Sequence, residues 1–137
     1  MNNLTDNLSF GEKMELELIP ILQKYFKDPT IRRNPNQKSV LDYLGAKPRE
    51  LKSRRFMSTH YSTTILPKNK VTMTEELEKD FLFLFEDGLG YITFDHQKFS
   101  KFKTSKIMGK HFDGDYAVEC FLIPVKDLTW IYTKCFI

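Results

Sequence analysis

The chain has 137 residues, of which 41% are hydrophobic and 14% are aromatic. This size and composition fit one globular domain with a core of ordinary size. No apolar run approaches the roughly 20 residues that span a bilayer, and the polar start MNNLTDNLSF lacks the features of a secretory signal. We therefore expect a single intracellular domain over residues 1–137, neither secreted nor associated with a membrane.

Charge is distributed unevenly along the chain. The net charge is +3, but residues 24–70 contain 12 Lys and Arg against three acidic residues, which is a local charge of +9. A basic segment of this density is typical of proteins that bind a polyanion such as nucleic acid. The alternative is a solvated basic face that has no partner.

The first predicted element is a helix over residues 10–26. Ser9 and Glu12 have the capping-box spacing that marks its start. At about 100° per residue, Glu15 falls within the apolar stripe of this helix, whereas Glu17 points away from it. Because an unpaired carboxylate in an apolar stripe is costly, we expect Glu15 to meet a cation, an arginine or a hydrogen-bond cluster.

Two extended runs, at 39–44 and 49–56, follow a turn-rich connector, KDPTIRRNPNQ, that can hold one short strand. They predict a hairpin, because GAKP between them supplies glycine and proline for a turn. A loop centred on Ala46 places Asp42 opposite Glu50. Since side chains alternate along strands, Asp42, Glu50 and Lys52 then share one face and Leu51 lies on the other.

The second half of the chain predicts mostly strands. In the ambiguous residues 57–80, STHYSTTILPKNK is loop-like and KNKVTMTEELEKD can form a second helix. FLFLF predicts a strand buried on both faces, and EDGLG turns it into YITFD. We then expect a short helix in HQKFSKF, strands near 104–112 and 116–123, and a final helical turn in VKDLTWIY. Late aromatic residues should close the core, and Cys120 and Cys135 should be reduced and mostly buried.

The hairpin also predicts a metal site. Two carboxylates across a ladder, Asp42 and Glu50, repel each other unless a positive charge lies between them. A hard divalent cation such as Mg²⁺ suits them, and Lys52 beside it can position a water or stabilise charge on a phosphate. The structural alternative is that Glu50 pairs with Lys52 or Arg54 on a solvated edge strand, where Asp42 only ends a strand.

These residues resemble the PD-(D/E)XK nuclease superfamily, in which an Asp and a Glu-x-Lys on adjacent strands form the metal site, often with a Glu from the first helix. Asp42 matches the aspartate, ELK at 50–52 matches Glu-x-Lys, and Glu15 in FGEKMELELIPIL matches the helical carboxylate. Leu41 replaces the family's proline. Residues 10–95 resemble the family's αβββαβ core, and ELKSRRF followed by YSTTILPKNK is similar to small phage and large-DNA-virus members.

The resemblance implies an α+β (α/β) fold with a restriction-endonuclease-like core, in which an αβββαβ mixed sheet is flanked by helices and extended by C-terminal strands. It implies a nuclease that hydrolyses phosphodiester bonds through a metal-activated water, with DNA favoured over RNA. Asp42, Glu50, Glu15 and the main-chain carbonyl of Leu51 would hold Mg²⁺ or Mn²⁺. The catalytic residues would be Asp42, Glu50, Lys52 and Glu15.

Four basic residues are candidates for binding nucleic acid: Arg54, Arg55, Lys68 and Lys70. The alternative interpretation of these four residues is that they only make the surface soluble. The alternative interpretation of Glu15 is an ion pair with an arginine such as Arg49 or Arg54. Two rival functions remain open. One is a catalytically inactive nucleic-acid-binding or assembly protein on the same scaffold, and the other is a protein-interaction module unrelated to nucleic acid. A homodimer is also possible.

Overall fold

The computed structural model describes residues 9–36, 41–72, 78–111 and 114–134. The helices in these ranges are α1 (Phe10–Tyr25), α2 (Lys68–Thr72) and α3 (His96–Ser100). The strands are β1 (Arg32–Arg33), β2 (Tyr43–Leu44), β3 (Arg49–Ser53), β4 (Thr63–Pro67), β5 (Asp80–Phe85), β6 (Gly88–Thr93), β7 (Lys103–His111), β8 (Gly114–Pro124) and β9 (Thr129–Thr133). The chain therefore has the predicted α+β class. None of the helices described here is both long enough and apolar enough to cross a bilayer.

Helix α1 begins where the capping box predicts. Ser9 Oγ accepts a hydrogen bond from the main-chain N–H of Glu12 at 3.2 Å, which satisfies one of the free donors of the first turn. Replacing such a cap typically costs about 1 kcal/mol. Leu18 and Leu22 are buried and define the face that packs on the sheet, whereas Glu17 is exposed, as predicted.

The larger sheet has six strands in the order β1-β2-β3-β5-β6-β9. β3 and β5 are parallel, whereas the other neighbouring strands are antiparallel. Because parallel neighbours need a crossover connection, the chain leaves this sheet after β3 and returns through β4 and α2. The sheet is therefore mixed, as the resemblance implies.

The predicted hairpin is formed by β2 and β3. Tyr43 lies opposite Arg49, which is the register that a loop centred on Ala46 requires. Both strands are shorter than expected, and residues 39 and 40 of the predicted first strand lie outside the described ranges. Since β3 lies between β2 and β5, it is not the solvated edge strand that the structural alternative for Glu50 requires.

A second sheet of three antiparallel strands has the order β4-β8-β7. The prediction of a loop in STHYSTTILPKNK is wrong for Thr63–Pro67. This segment is a strand that pairs along its length with β8, which lies far away in the sequence. Helix α2 lies in the predicted helical segment, of which residues 73–77 are outside the description. β7 and β8 form the expected hairpin, and residues 112–113 of its turn are likewise not described.

The C-terminal part differs from its prediction. The helical turn expected in VKDLTWIY is limited to a 3₁₀ turn at Val125–Asp127. The residues after it form β9, which pairs with β6. Glycine at the start of β6 permits this pairing. A Cβ on Gly88 would lie 2.5 Å from the main-chain oxygen of Tyr132.

All six residues of β5 are buried, as FLFLF predicts, and its faces belong to two different cores. Phe81, Phe83 and Phe85 join the core that contains β4, α3 and part of β8, and Phe121 and Trp130 pack against it. Leu82 and Leu84 join the core under α1, against which Tyr132 packs. The late aromatic residues therefore close the core as expected. Cys120 is a buried free thiol, whereas Cys135 lies outside the described residues.

A buried ionic network joins β3, β5 and β6. Asp80 is 1% exposed and accepts hydrogen bonds from Arg49 Nε at 3.0 Å and from the Thr93 hydroxyl at 2.6 Å. Lys47 Nζ lies 2.9 Å from the same carboxylate. The guanidinium of Arg49 also lies over the ring of Phe26, 3.9 Å from its centroid. Arg49 is therefore a structural cation of the core.

Candidate metal centre

Helix α1 is fixed to the hairpin at the position of Glu15. Tyr43 is fully buried, and its hydroxyl donates to the main-chain oxygen of Glu15 at 2.7 Å. Burial and the nearby carboxylates of Glu15 and Asp42 raise the pKa of the Tyr43 hydroxyl, so this donor keeps its proton. The helical carboxylate predicted from the apolar stripe is thereby held beside the start of β2.

Asp42 lies immediately before β2 and is tied to β3 by two hydrogen bonds. Its N–H donates to the main-chain oxygen of Arg49 at 3.0 Å. Its Oδ2 accepts the N–H of Leu51 at 2.7 Å. Because both contacts cross the hairpin, the carboxyl group of Asp42 is brought to the segment that carries Glu50 and Lys52.

Glu50 and Lys52 lie on the same face of β3, as strand alternation predicts, while Leu51 joins the core under α1. Lys52 Nζ lies 3.1 Å from Glu50 Oε1. The structural alternative is therefore correct in pairing Glu50 with Lys52, but wrong in placing the pair on a solvated edge strand, because Glu50 is only 3% exposed. The second oxygen, Glu50 Oε2, is buried and has no hydrogen-bond partner among the described residues.

The pKa of the Asp42 carboxyl is raised to about 7, mainly because the group is buried. The carboxylates of Glu15 and Glu50 also raise it, and so does a hydrogen bond between Asp42 and Glu15, whereas the N–H of Leu51 lowers it. The three predicted carboxyl groups therefore lie close enough to interact. Near neutral pH such a cluster either retains a proton or needs a cation.

Glu15 is held by an arginine, but not by either of those suggested by the sequence. Arg33 Nε donates to Glu15 Oε2 at 2.9 Å, and Arg33 Nη2 donates to Glu12 Oε2 at 3.1 Å. These contacts raise the pKa of Arg33, and the hydrogen bond from Arg33 lowers the pKa of Glu12. The alternative interpretation of Glu15 is therefore correct that the residue pairs with an arginine, but the arginine is Arg33 and not Arg49 or Arg54.

Three acidic residues, Glu12, Glu15 and Asp42, border a small cavity of about 210 Å³. Its lining consists of Glu12, Glu15, Arg33, Asn34, Asn36, Leu41 and Asp42. Within the described part of the chain, no three His, Cys, Asp or Glu side chains are arranged to hold a metal ion. Glu15, the third carboxylate of the predicted set, is engaged by Arg33 instead.

The four predicted nucleic-acid-binding residues have different surroundings. The guanidinium of Arg54 faces inward, where it donates to Thr64 Oγ1 at 3.3 Å and to the main-chain oxygen of Ile65 at 2.6 Å. Burial lowers its pKa. Arg55 is exposed, Lys68 forms an exposed ion pair with Glu119 at 3.0 Å, and Lys70 is half-buried in α2. Arg54 therefore connects β3 to β4.

Sequence reasoning missed Arg33, although a signal for it was present. Glu12 and Glu15 are three positions apart on α1, so they lie on one face of the helix and need a cation to share it. Arg32 and Arg33 were assigned only to a connector that can hold a short strand. The pairing could not be read locally, because it joins elements separated by a turn.

Comparisons with known proteins give no relative from which a function could be transferred. No protein-family model, curated protein or solved structure matches the chain. The chemistry of the centre is therefore inferred from its own residues and contacts.

Proposed function

We propose that the protein is a nuclease that hydrolyses phosphodiester bonds in nucleic acid, with DNA favoured over RNA, and that it depends on Mg²⁺ or Mn²⁺. One observation carries the proposal. Glu50 lies close enough to Asp42 to raise the pKa of the Asp42 carboxyl, and Glu50 keeps a buried oxygen without a hydrogen-bond partner in the described structure. This pair lies beside Lys52, whose ammonium group contacts Glu50.

The donor set of these residues fits a hard cation. A buried carboxylate oxygen without a partner loses its hydration and gains nothing in exchange, which destabilises the fold by about 1 to 3 kcal/mol or more. A cation bound to Glu50 and Asp42 would relieve this penalty and replace the proton that Asp42 otherwise retains. Oxygen ligands of this kind suit Mg²⁺ or Mn²⁺. The main-chain carbonyl of Leu51 would join them, as the resemblance implies.

The residues of the chain have separate roles in this proposal. A divalent cation held by Asp42 and Glu50 would supply a Lewis acid that activates a water and neutralises charge on the phosphate. Lys52 is oriented by Glu50 at 3.1 Å, which directs its ammonium group to the same face. There it stabilises the negative charge that develops on the phosphate oxygens during hydrolysis.

The order of elements also supports the proposal. Along the six-stranded sheet, α1 is followed by β1, β2 and β3, then by α2 and β5, which is an αβββαβ order with β4 inserted into the second sheet. β6 and β9 extend the sheet, as the C-terminal strands of the resemblance would. We propose on this basis that the core is restriction-endonuclease-like.

Individual basic side chains would give the proposed substrate its contacts. Arg55 is exposed, and its guanidinium lies 4.2 Å from the centroid of the Phe10 ring. An arginine supported on a ring at the surface is suited to a phosphate. Lys68 pairs with Glu119 in an exposed contact that is weak enough to be exchanged for a phosphate. Arg55, Lys68 and Lys70 are therefore proposed to contact the nucleic-acid backbone, without Arg54.

Nuclease assays test the proposal directly. Supercoiled plasmid and labelled single-stranded DNA are incubated with the protein in Mg²⁺, in Mn²⁺ and in EDTA. We expect cleavage that needs a divalent ion and falls at least about 100-fold in Asp42→Asn, Glu50→Gln or Lys52→Met. Glu17→Gln is the matched control, because this carboxylate is on α1 but exposed and away from the centre. Cleavage that survives in the three variants would refute the site.

A second candidate is a catalytically inactive nucleic-acid-binding or assembly protein on the same scaffold. The contact of Arg33 with Glu15 favours it, because the helical carboxylate is then not free to bind a metal ion. This candidate predicts salt-sensitive DNA binding without turnover. It also predicts that Mn²⁺ raises the melting temperature of the wild type no more than that of Glu50→Gln, whereas a metal enzyme gains stability from its ligand.

A further inference from the structure

Arg33 pairs with two carboxylates of α1 through one guanidinium. It lies on β1, a two-residue strand at the edge of the six-stranded sheet. Its Nε is 2.9 Å from Glu15 and its Nη2 is 3.1 Å from Glu12. The side chain is 24% exposed, so these pairs are shielded in part from solvent and are stronger than pairs on an open surface.

The same guanidinium borders the small cavity shared by Glu12, Glu15 and Asp42. Asp42 and Glu15 both line this cavity, where Glu15 lies close enough to raise the pKa of Asp42, and Glu15 is bonded to Arg33. The carboxylate that lies next to the proposed ligand is therefore already paired with a fixed positive charge. A divalent cation that approached Glu15 would have to displace this charge or accept its repulsion.

We propose that Arg33 is a resident counter-ion that withholds Glu15 from the metal centre and so limits the affinity of the centre for divalent cations. The inference rests on the proposed function, since it concerns the same centre. Glu15 then becomes a ligand only when Arg33 leaves it. Arg33 is thus a positioning residue, which acts on the centre through Glu15.

The direction of the effect follows from charge. With Arg33 in place, the pair of Glu12 and Glu15 has one of its two negative charges compensated. Without it, two carboxylates face a cation at short range in a partly shielded site, and Glu15 can also bind directly. The affinity for Mn²⁺ should therefore rise by at least about tenfold.

Calorimetric titration with MnCl₂ tests the inference. We expect Arg33→Gln to bind Mn²⁺ at least about tenfold more tightly than the wild type. Arg32→Gln is the matched control, because it removes the same charge from the adjacent, exposed residue, whose guanidinium donates to the main-chain oxygen of Thr30. Equal affinities of Arg33→Gln and the wild type would overturn the inference.

A double variant separates the release of Glu15 from a general change in charge and also protects against misfolding of the single variant. Arg33→Gln with Glu12→Gln keeps the net charge of the cluster and still frees Glu15. It should retain tighter Mn²⁺ binding than the wild type, and adding Glu15→Gln should abolish the gain. If the double variant binds like the wild type, the gain is due to charge alone and the inference is wrong.

The titration also distinguishes this inference from the proposed function. If the wild type binds Mn²⁺ and loses it in Glu50→Gln, but Arg33→Gln changes nothing, only the role of Arg33 fails. If neither the wild type nor Arg33→Gln binds Mn²⁺, the carboxylates do not form a metal centre and the proposed function fails with it. If only the variant binds, Arg33 blocks the centre completely, as the inference requires.

Discussion

The ionisation of Asp42 should make the stability of the metal-free protein depend on pH. Its pKa is raised to about 7 in the folded chain, from an ordinary value of 3.8. Between these values the folded protein holds a proton that the unfolded chain releases, so the free energy of unfolding falls as the pH rises. For this shift, the loss between pH 5 and pH 8 is about 2 to 3 kcal/mol.

Asp42→Asn should remove this slope. Asparagine keeps an oxygen that can accept the N–H of Leu51, so the hairpin contact survives while the titration is lost. The assay is urea unfolding followed by circular dichroism at pH 5, 6.5 and 8 in EDTA. Glu17→Gln on the exposed side of α1 is the control and should keep the wild-type slope. Parallel profiles for the wild type and Asp42→Asn would show that the carboxyl groups do not interact as described.

Four further predictions concern the scaffold. Asp80→Asn should lower the free energy of unfolding in urea by about 3 to 5 kcal/mol, since it leaves the buried Arg49 without its counter-charge. Arg54→Ala should lower it by about 1 to 3 kcal/mol without changing the affinity for labelled DNA in anisotropy titrations, because its donors face inward; weaker DNA binding at unchanged stability would contradict this. Gly88→Ala should lower the melting temperature, as the added Cβ meets a main-chain oxygen at 2.5 Å. Gly11→Ala should raise the free energy of unfolding by about 0.4 to 1 kcal/mol, because a Cβ at this helical position would meet open space.

The parts of the fold that local rules determine were predictable. The capping box located the start of α1, and the turn between β2 and β3 set their register, so Glu50 and Lys52 were assigned to one face. FLFLF identified a strand buried on both faces. In each case the signal lies within a few residues of the structure that it predicts.

Contacts between distant segments were not predictable in this way. β4 was taken for a loop because its partner, β8, lies in another part of the chain. The role of Arg54 was missed for the same reason, since its donors bind Thr64 and Ile65 of that strand. Arg33 pairs with Glu12 and Glu15 across a turn that brings β1 beside α1. The spacing of the acids showed that a cation was needed, but not which one.

The most direct test of the proposed centre is an anomalous difference map from a crystal soaked in MnCl₂. We predict a manganese peak bonded to carboxylate oxygens of both Asp42 and Glu50, with Glu50 Oε2 as one of its ligands. The soak should leave Glu15 paired with Arg33. A map with no peak between Asp42 and Glu50, or with manganese bound only elsewhere, would contradict the account.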